Sequence, residues 1–310
     1  MADAAAVPGA SAVEVLAQGK INLRLRILAR ETNGYHQVET LFLRLALADT
    51  VRVRRTAHER SLDVSGLAEG DDIGPVENNL AWRAAQAYLA ASMSHHGFAI
   101  EIEKRIPIGG GLGGGSADAG AVLRAMEAMA LEPLGQRRLL TLAAQLGADV
   151  PFLASEATYA LAWGRGERML AIEPPESRSV LLVVPSFGVN TKAAYGWLDD
   201  DRDGEPAFVE PGLMDDGALN DWDEVCAVLA NDFEAPVGSR HPELAAVLDS
   251  LRASEHVQCA LMSGSGSTLF AVARSSDMVS DFVIPRSNSL VMRTISTHTA
   301  HEVEPVVILP

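Results

Sequence analysis

"GGGLGGGSADAG", residues 109–120, sets six glycines in seven positions and then runs into a helix-forming stretch. Glycine costs about 0.5–1 kcal/mol of conformational entropy against alanine in a regular element. A chain that clusters six of them brings its backbone close to something, or needs φ angles closed to other residues. Upstream, "FAIEIEKRI" alternates, with Phe98, Ile100 and Ile102 on one face, the period of a half-buried strand. Downstream, Ala119, Val122, Leu123 and Met126 recur at helical spacing through Met129. In a strand, glycine loop and helix, several backbone N–H groups and the positive end of the helix converge on an anion. Ser116 falls at the N-cap or in the first turn, where its hydroxyl caps the helix or faces a phosphate or Mg2+. Flexible linkers seldom join a regular strand to a regular helix, so phosphate is the favoured reading.

The two common phosphate loops do not fit. Residues 109–114 satisfy G-x-G-x-x-G, but a lone match is weak. The preceding strand alternates, unlike the apolar central strand of a parallel sheet. "PLGQRR" stands where a dinucleotide-binding unit would place a strand ending in an acid. A Walker A loop ends in G-K-[ST], whereas Gly115-Ser116-Ala117 has no lysine.

Outward from the loop, "AQGKINLRLRILAR" predicts a half-buried strand with Ile21, Leu23, Leu25 and Ile27 on one face and Asn22, Arg24 and Arg26 on the other. Asn33-Gly34 marks a turn, and "VETLFLRLALADTVRVR" reads as further strand broken at Asp49-Thr50. "ENNLAWRAAQAYLAA" is a helix capped by Asn78 or Asn79, and "GQRRLLTLAAQLG" a second ending at Gly147. "ADVPF" breaks away from it, because Pro151 disfavours helix at Val150. "SVLLVVP" is a buried strand, "HPELAAVLDSLRAS" an amphipathic helix, and "QCALMSGSGSTLFAVA" a strand, small-residue turn and strand. Pro174-Pro175 marks a lobe boundary, dividing the chain into 11–174 and 175–310.

At 310 residues and 48% hydrophobic, the chain holds a sizeable core in two lobes. The net charge of -16 is concentrated in one segment, Asp199 to Glu224, with eleven acidic residues against one basic, Arg202. That segment reads as a solvated excursion. No basic stripe suits nucleic acid, no apolar run spans a membrane, and "MADAAAVPGASAVEV" is not a secretory signal. Cys226 and Cys259 lack metal-site spacing and fit free thiols in a reducing, cytoplasmic compartment. Taken alone, Lys20 reads as a snorkelling surface lysine and Asp149 as an Asx-turn residue, and Tyr35 and His36 have a plain reading as turn residues.

"PIGGGLGGGSADAG" resembles the phosphate loop of the GHMP kinases, and "QGKINLRLRI", "NGYHQVETLF", "LGADVPFLA" and "MSGSGSTLFAV" extend the resemblance over about residues 17–274. Within that superfamily the combination of "GKINL", "GYH" and "GADVPF" is similar to the branch that phosphorylates the 2-hydroxyl of a cytidine-diphosphate-bearing methylerythritol in the non-mevalonate isoprenoid pathway. The resemblance implies an α+β, two-lobed fold: an N-terminal lobe like ribosomal protein S5 domain 2 and an α+β C-terminal lobe, with ATP and substrate in the cleft. It further implies Lys20 and Asp149 as the catalytic pair, and Asn22, Tyr35, His36, Thr191 and Tyr195 as substrate contacts, the two tyrosines sandwiching the cytosine. ATP would lie on Pro107, Ile108, Gly109, Gly110, Gly111, Leu112, Gly113, Gly114, Gly115, Ser116 and Ala117, with Ser116 toward Mg2+. The implied partner is the small-molecule substrate, with no nucleic acid, membrane or protein partner. A homoserine or mevalonate-type kinase and a non-catalytic nucleotide-binding relative are the alternatives; the aromatics oppose the first and the presence of Lys20 and Asp149 the second.

Overall fold

The run that opens with Ala12 alternates far beyond an average strand, and in the computed structural model it forms a 19-residue strand, β1 (Ala12–Arg30). Residues 9–32, 34–68, 70–203, 217–275 and 291–310 are described. β1 turns into β2 (His36–Thr56), followed by β3 (Arg60–Ser65), α1 (Leu80–Ala91) and β4 (Gly97–Glu103). The glycine loop leads into α2 (Gly114–Met129), then α3 (Gln136–Leu146), α4 (Val150–Ala154), β5 (Tyr159–Gly164) and β6 (Arg168–Ala171). The later part comprises β7 (Ser179–Pro185), α5 (Thr191–Asp201), α6 (Trp222–Ala227), β8 (Ala230–Asn231), α7 (Glu234–Arg240) and α8 (Pro242–Arg252). It closes with β9 (Val257–Met262), β10 (Leu269–Ala273), β11 (Met292–His298) and β12 (Val307–Ile308).

Two sheets result. The first runs β12-β1-β2-β4-β3, with β5 on the early half of β2, β6 on β5, and β8 parallel on β1. The second is antiparallel, β11-β7-β10-β9. Its β7 is apolar throughout because both faces are covered. Val180, Leu182 and Val184 join the core that holds Ile21, Leu23 and the α2 residues, whereas Leu181 and Val183 pack with Leu244, Val247 and Leu248 of α8.

Four local expectations change. β1 is buried on both faces around residues 18–22: Ile21 and Leu23 face the core, and Gln18, Lys20 and Asn22 are also buried. β2 does not break at Asp49-Thr50, because the fully buried Asp49 carboxylate accepts from the backbone N–H groups of Arg105 and Ile106. Pro151 does not exclude helix; it stands in the first turn of α4, where its missing N–H is harmless, and Asp149 occupies the N-cap position. The flanks of the acidic segment are packed, with Leu219 and Trp222 buried and the Trp222 indole N–H donating to Glu176 O at 2.8 Å. Residues 204–216 of that segment lie outside the described residues. Asn79, not Asn78, caps α1, its side chain accepting from Ala81 N–H. Among the described residues no helix is long and apolar enough to cross a membrane.

Candidate active site

The glycine loop is held from below and beside. Lys20 N–H donates to Leu112 O at 2.9 Å, Thr268 N–H to Gly110 O at 3.3 Å, and the Ser263 hydroxyl to Gly111 O at 2.9 Å. The turn 263–266 therefore lies directly on the loop, and a Cβ at Gly111 would collide with Ser263 O. Gly113 has φ +73°, and a Cβ there would meet the Lys20 methylenes at 3.1 Å. Pro107, Gly110, Leu112 and Ala117 are buried, while Ile108, Gly109 and Gly115 are exposed. A Cβ at Gly115 would meet nothing within 4 Å, so the loop keeps an open face where α2 begins. No acidic residue stands in the first turn of α2, and Ser116 lies there, partly exposed. An N-terminus of this kind, open and without acid, suits the phosphates of a nucleotide.

Lys20 projects from β1 beside this loop. Its ammonium donates to Asn22 Oδ1 at 2.7 Å and Gly111 O at 3.1 Å, and stands 3.3 Å from Asp149 Oδ2. Lys20 is 3% exposed and the Asp149 side chain 30%. A buried cation thus meets a partly exposed carboxylate, and three oxygens compensate its burial. Asn22 in turn donates to Thr40 Oγ1 at 2.7 Å, which fixes its carbonyl toward Lys20.

α5 brings the remaining residues in. Thr191 and Ser265 share a hydroxyl hydrogen bond of 3.0 Å, which links α5 to the turn on the glycine loop. One helical turn on, the Tyr195 ring stacks on His36 with centroids 4.7 Å apart and meets Phe233 edge-on at 4.9 Å. Burial first, then the Asp149 and Asp199 carboxylates, push the Tyr195 hydroxyl up to about 12. Tyr35 stands apart from this stack: it is 60% exposed, with the Arg165 guanidinium 4.4 Å from its ring centroid. The structure therefore unites Lys20, Asn22, Asp149 and the glycine loop, and joins His36 to Tyr195, while Tyr35 lies at the rim.

Several charged residues here make contacts that the sequence reading did not assign. Asp199 Oδ1 bonds His36 Nε2 at 2.8 Å and its other oxygen lies 3.3 Å from Arg30. Beneath the loop, Lys104 donates to Asp118 Oδ2 at 2.7 Å and to Asp49 at 2.5 Å. Burial pushes the Asp118 carboxyl up to about 7, with Lys104 pulling the other way. The one legible hint was position: Lys104 and Asp118 flank the glycine run on either side.

Residues 79–156 match the family of the GHMP kinases N terminal domain and residues 212–282 that of GHMP kinases C terminal, so sequence, fold and loop together define a GHMP kinase. Over 266 residues the chain is 37% identical to the 4-diphosphocytidyl-2-C-methyl-D-erythritol kinase of Desulfitobacterium hafniense, covering 86% of this chain and 88% of that protein. It is 40% identical over 263 residues to the enzyme of that name from Moorella thermoacetica, covering 83% and 88%. A crystal structure of 4-(cytidine 5'-diphospho)-2C-methyl-D-erythritol kinase superposes with TM-score 0.71 at 31% identity, covering 92% of this chain and 98% of that one. The chain belongs to the 4-diphosphocytidyl-2-C-methyl-D-erythritol kinase family.

Proposed function

We propose that the chain transfers the terminal phosphoryl group of ATP to the 2-hydroxyl of 4-diphosphocytidyl-2-C-methyl-D-erythritol, in the cytoplasm and in the non-mevalonate isoprenoid route. The observation that carries this reading is the Lys20–Asp149 pair at 3.3 Å, on the same ammonium that bonds Gly111 O of the glycine loop. Phosphoryl transfer depends on positioning and charge compensation more than on covalent chemistry. Asp149, the more open partner, takes or orients the proton of the attacking hydroxyl. Lys20 holds that carboxylate in place and offsets negative charge as it develops on the transferred group. Asn22 fixes the ammonium. The N–H groups of Gly113, Gly114 and Gly115 and the start of α2 hold the phosphates, and the Ser116 hydroxyl would offer Mg2+ a neutral oxygen, the ion supplying charge neutralisation there. His36 and Tyr195 offer a ring surface for the base, Tyr35 closes the rim, and Thr191 holds the turn 263–266 that lies on the glycine loop.

The test is ADP release measured over a panel of alcohols with and without a cytidine diphosphate group. The expected result is turnover of the cytidylated methylerythritol and little of the bare methylerythritol phosphate. Equal turnover of both, or preference for homoserine or mevalonate, overturns the substrate assignment.

A further inference from the structure

Arg44 is among the largest fully buried side chains of the protein, at 1% exposure, in the middle of the apolar run "TLFLRLAL". No carboxylate forms an ion pair with it among the described residues. Four hydrogen bonds take its guanidinium to backbone instead: Nε to Ala157 O at 3.1 Å, Nη1 to Leu153 O at 3.4 Å, and Nη2 to Phe152 O at 2.8 Å and Ser155 O at 3.1 Å. Three of these carbonyls belong to the end of α4 and the residue after it, where the helix dipole favours a cation; Phe152 O also accepts from the Ser155 backbone N–H at 3.1 Å and its hydroxyl at 2.7 Å. Burial, then the nearby Arg124, lower the guanidinium to about 9, so it stays charged at neutral pH.

The other end of α4 carries Asp149. In the ladder between β1 and β2, Lys20 and Arg44 are directly opposite one another, so their side chains leave the same face of the sheet. Lys20 reaches the N-terminal end of α4 and Arg44 its C-terminal end. Aromatic rings fill the space between: the guanidinium lies 5.0 Å from the Phe152 ring, Phe152 stacks on Phe42 at 4.9 Å, and the Lys20 ammonium is 5.6 Å from Phe42. A five-residue helix does not hold itself in water, and the Asp149 side chain makes no cap hydrogen bond to it. Its placement depends on outside anchors.

We propose that Arg44 is a positioning residue for the phosphoryl-transfer step, clamping the carbonyl end of α4 so that Asp149 at its other end stands within reach of Lys20 and the attacking hydroxyl. The inference rests on the roles given to Lys20 and Asp149 above. A displacement of about 1 Å in a reacting group costs up to roughly 100-fold in rate. Loss of the clamp should therefore appear in kcat while substrate and ATP binding, made by other elements, stay near their wild-type values.

The experiment compares wild type, Arg44→Lys, Arg44→Met, Asp149→Asn and Arg44→Lys/Asp149→Asn, each normalised to folded protein by circular dichroism and thermal melting. Arg44→Lys keeps the charge and folds most readily, but one ammonium cannot serve four carbonyls. It is expected to lower kcat by about 10-fold with both KM values within about 3-fold. The double variant should be no slower than Asp149→Asn alone, because the clamp acts only through that carboxylate. Arg44→Met, if it folds, should be slower than Arg44→Lys. Wild-type kcat in folded Arg44→Lys, or a double variant slower by the full product of the single effects, overturns the proposal. Near wild-type turnover by Asp149→Asn would instead remove the catalytic reading beneath it, which separates the two failures.

Discussion

The imidazole of His36 lies stacked on the phenol of Tyr195, 4.7 Å between centroids and 25° between planes. The two rings are joined across the molecule, from the first residue of β2 and the first helix after β7. Asp199 on the His36 Nε2 holds the imidazole in that stack, and Phe233 meets Tyr195 edge-on. A ring surface assembled in advance costs little ordering when a flat base arrives. Tyr195→Ala should raise KM for the cytidylated alcohol by roughly 5- to 150-fold, the equivalent of 1–3 kcal/mol of base stacking, with KM for ATP unchanged. Tyr35→Ala, at the rim, should give the smaller effect. Steady-state kinetics on both variants decide it, and an unchanged KM in Tyr195→Ala would remove the stack from base recognition.

Asp149→Asn keeps the shape of the side chain but can neither take a proton nor balance Lys20. The expected loss in kcat is about 10²–10⁴-fold, the usual contribution of a general base. Lys20→Met should also lower kcat, and the double variant should lose less than the product, since the two act as one unit. Single-turnover rates and melting temperatures on the same preparations separate this from a turn aspartate, whose loss would reduce stability and leave the rate per folded molecule intact.

Gly113→Val places a β-branched side chain at φ +73°, with its first carbon 3.1 Å from the Lys20 methylenes. Branched residues scarcely occupy that region of backbone space. ATP affinity measured by calorimetry should fall by at least about tenfold, roughly 1.4 kcal/mol. Unchanged affinity in a folded variant counts against the loop as the phosphate site.

Trp222 is 4% exposed, at the start of α6, and its indole donates to Glu176 O. Trp222→Ala should cost about 3–5 kcal/mol, the scale of a large aromatic truncation. Urea denaturation measures it. A loss below about 1 kcal/mol would return this flank to the solvated segment that its acidic composition suggested.

Asp118 has its carboxyl raised from 3.8 to about 7, burial being the largest cause. Between those values the folded state keeps a proton that the unfolded chain has released. The stability tied to this group is complete below pH 3.8 and is lost as pH rises through about 7. Asp118→Asn has nothing to titrate there. Wild type should therefore lose stability relative to that variant between pH 5 and pH 8, by about 1 kcal/mol or more. Urea midpoints at the two pH values test the sign, and a constant difference contradicts it.

The sequence alone determined the glycine loop between a strand and a helix, the exclusion of the dinucleotide and Walker A loops, most strands and helices, and the residues offered as the site. Those features are local: alternation, helical spacing and glycine runs are read within a dozen neighbours. The roles of Arg44, Asp49, Lys104, Asp118 and Asp199 were not legible, because each depends on which segments meet. Asp49 looked like a strand breaker until the backbone of 105–106 came to its carboxylate. Pro151 looked like a stop until Asp149 began a new helix in front of it. Arg44 in an apolar strand has no local explanation at all. The register of β1 on β2 places it opposite Lys20, and the carbonyls at the end of α4 then turn a buried charge into an anchor. Only tertiary structure supplies such partners, since satisfying a buried polar group is a matter of what lies within 3 Å in space, not along the chain.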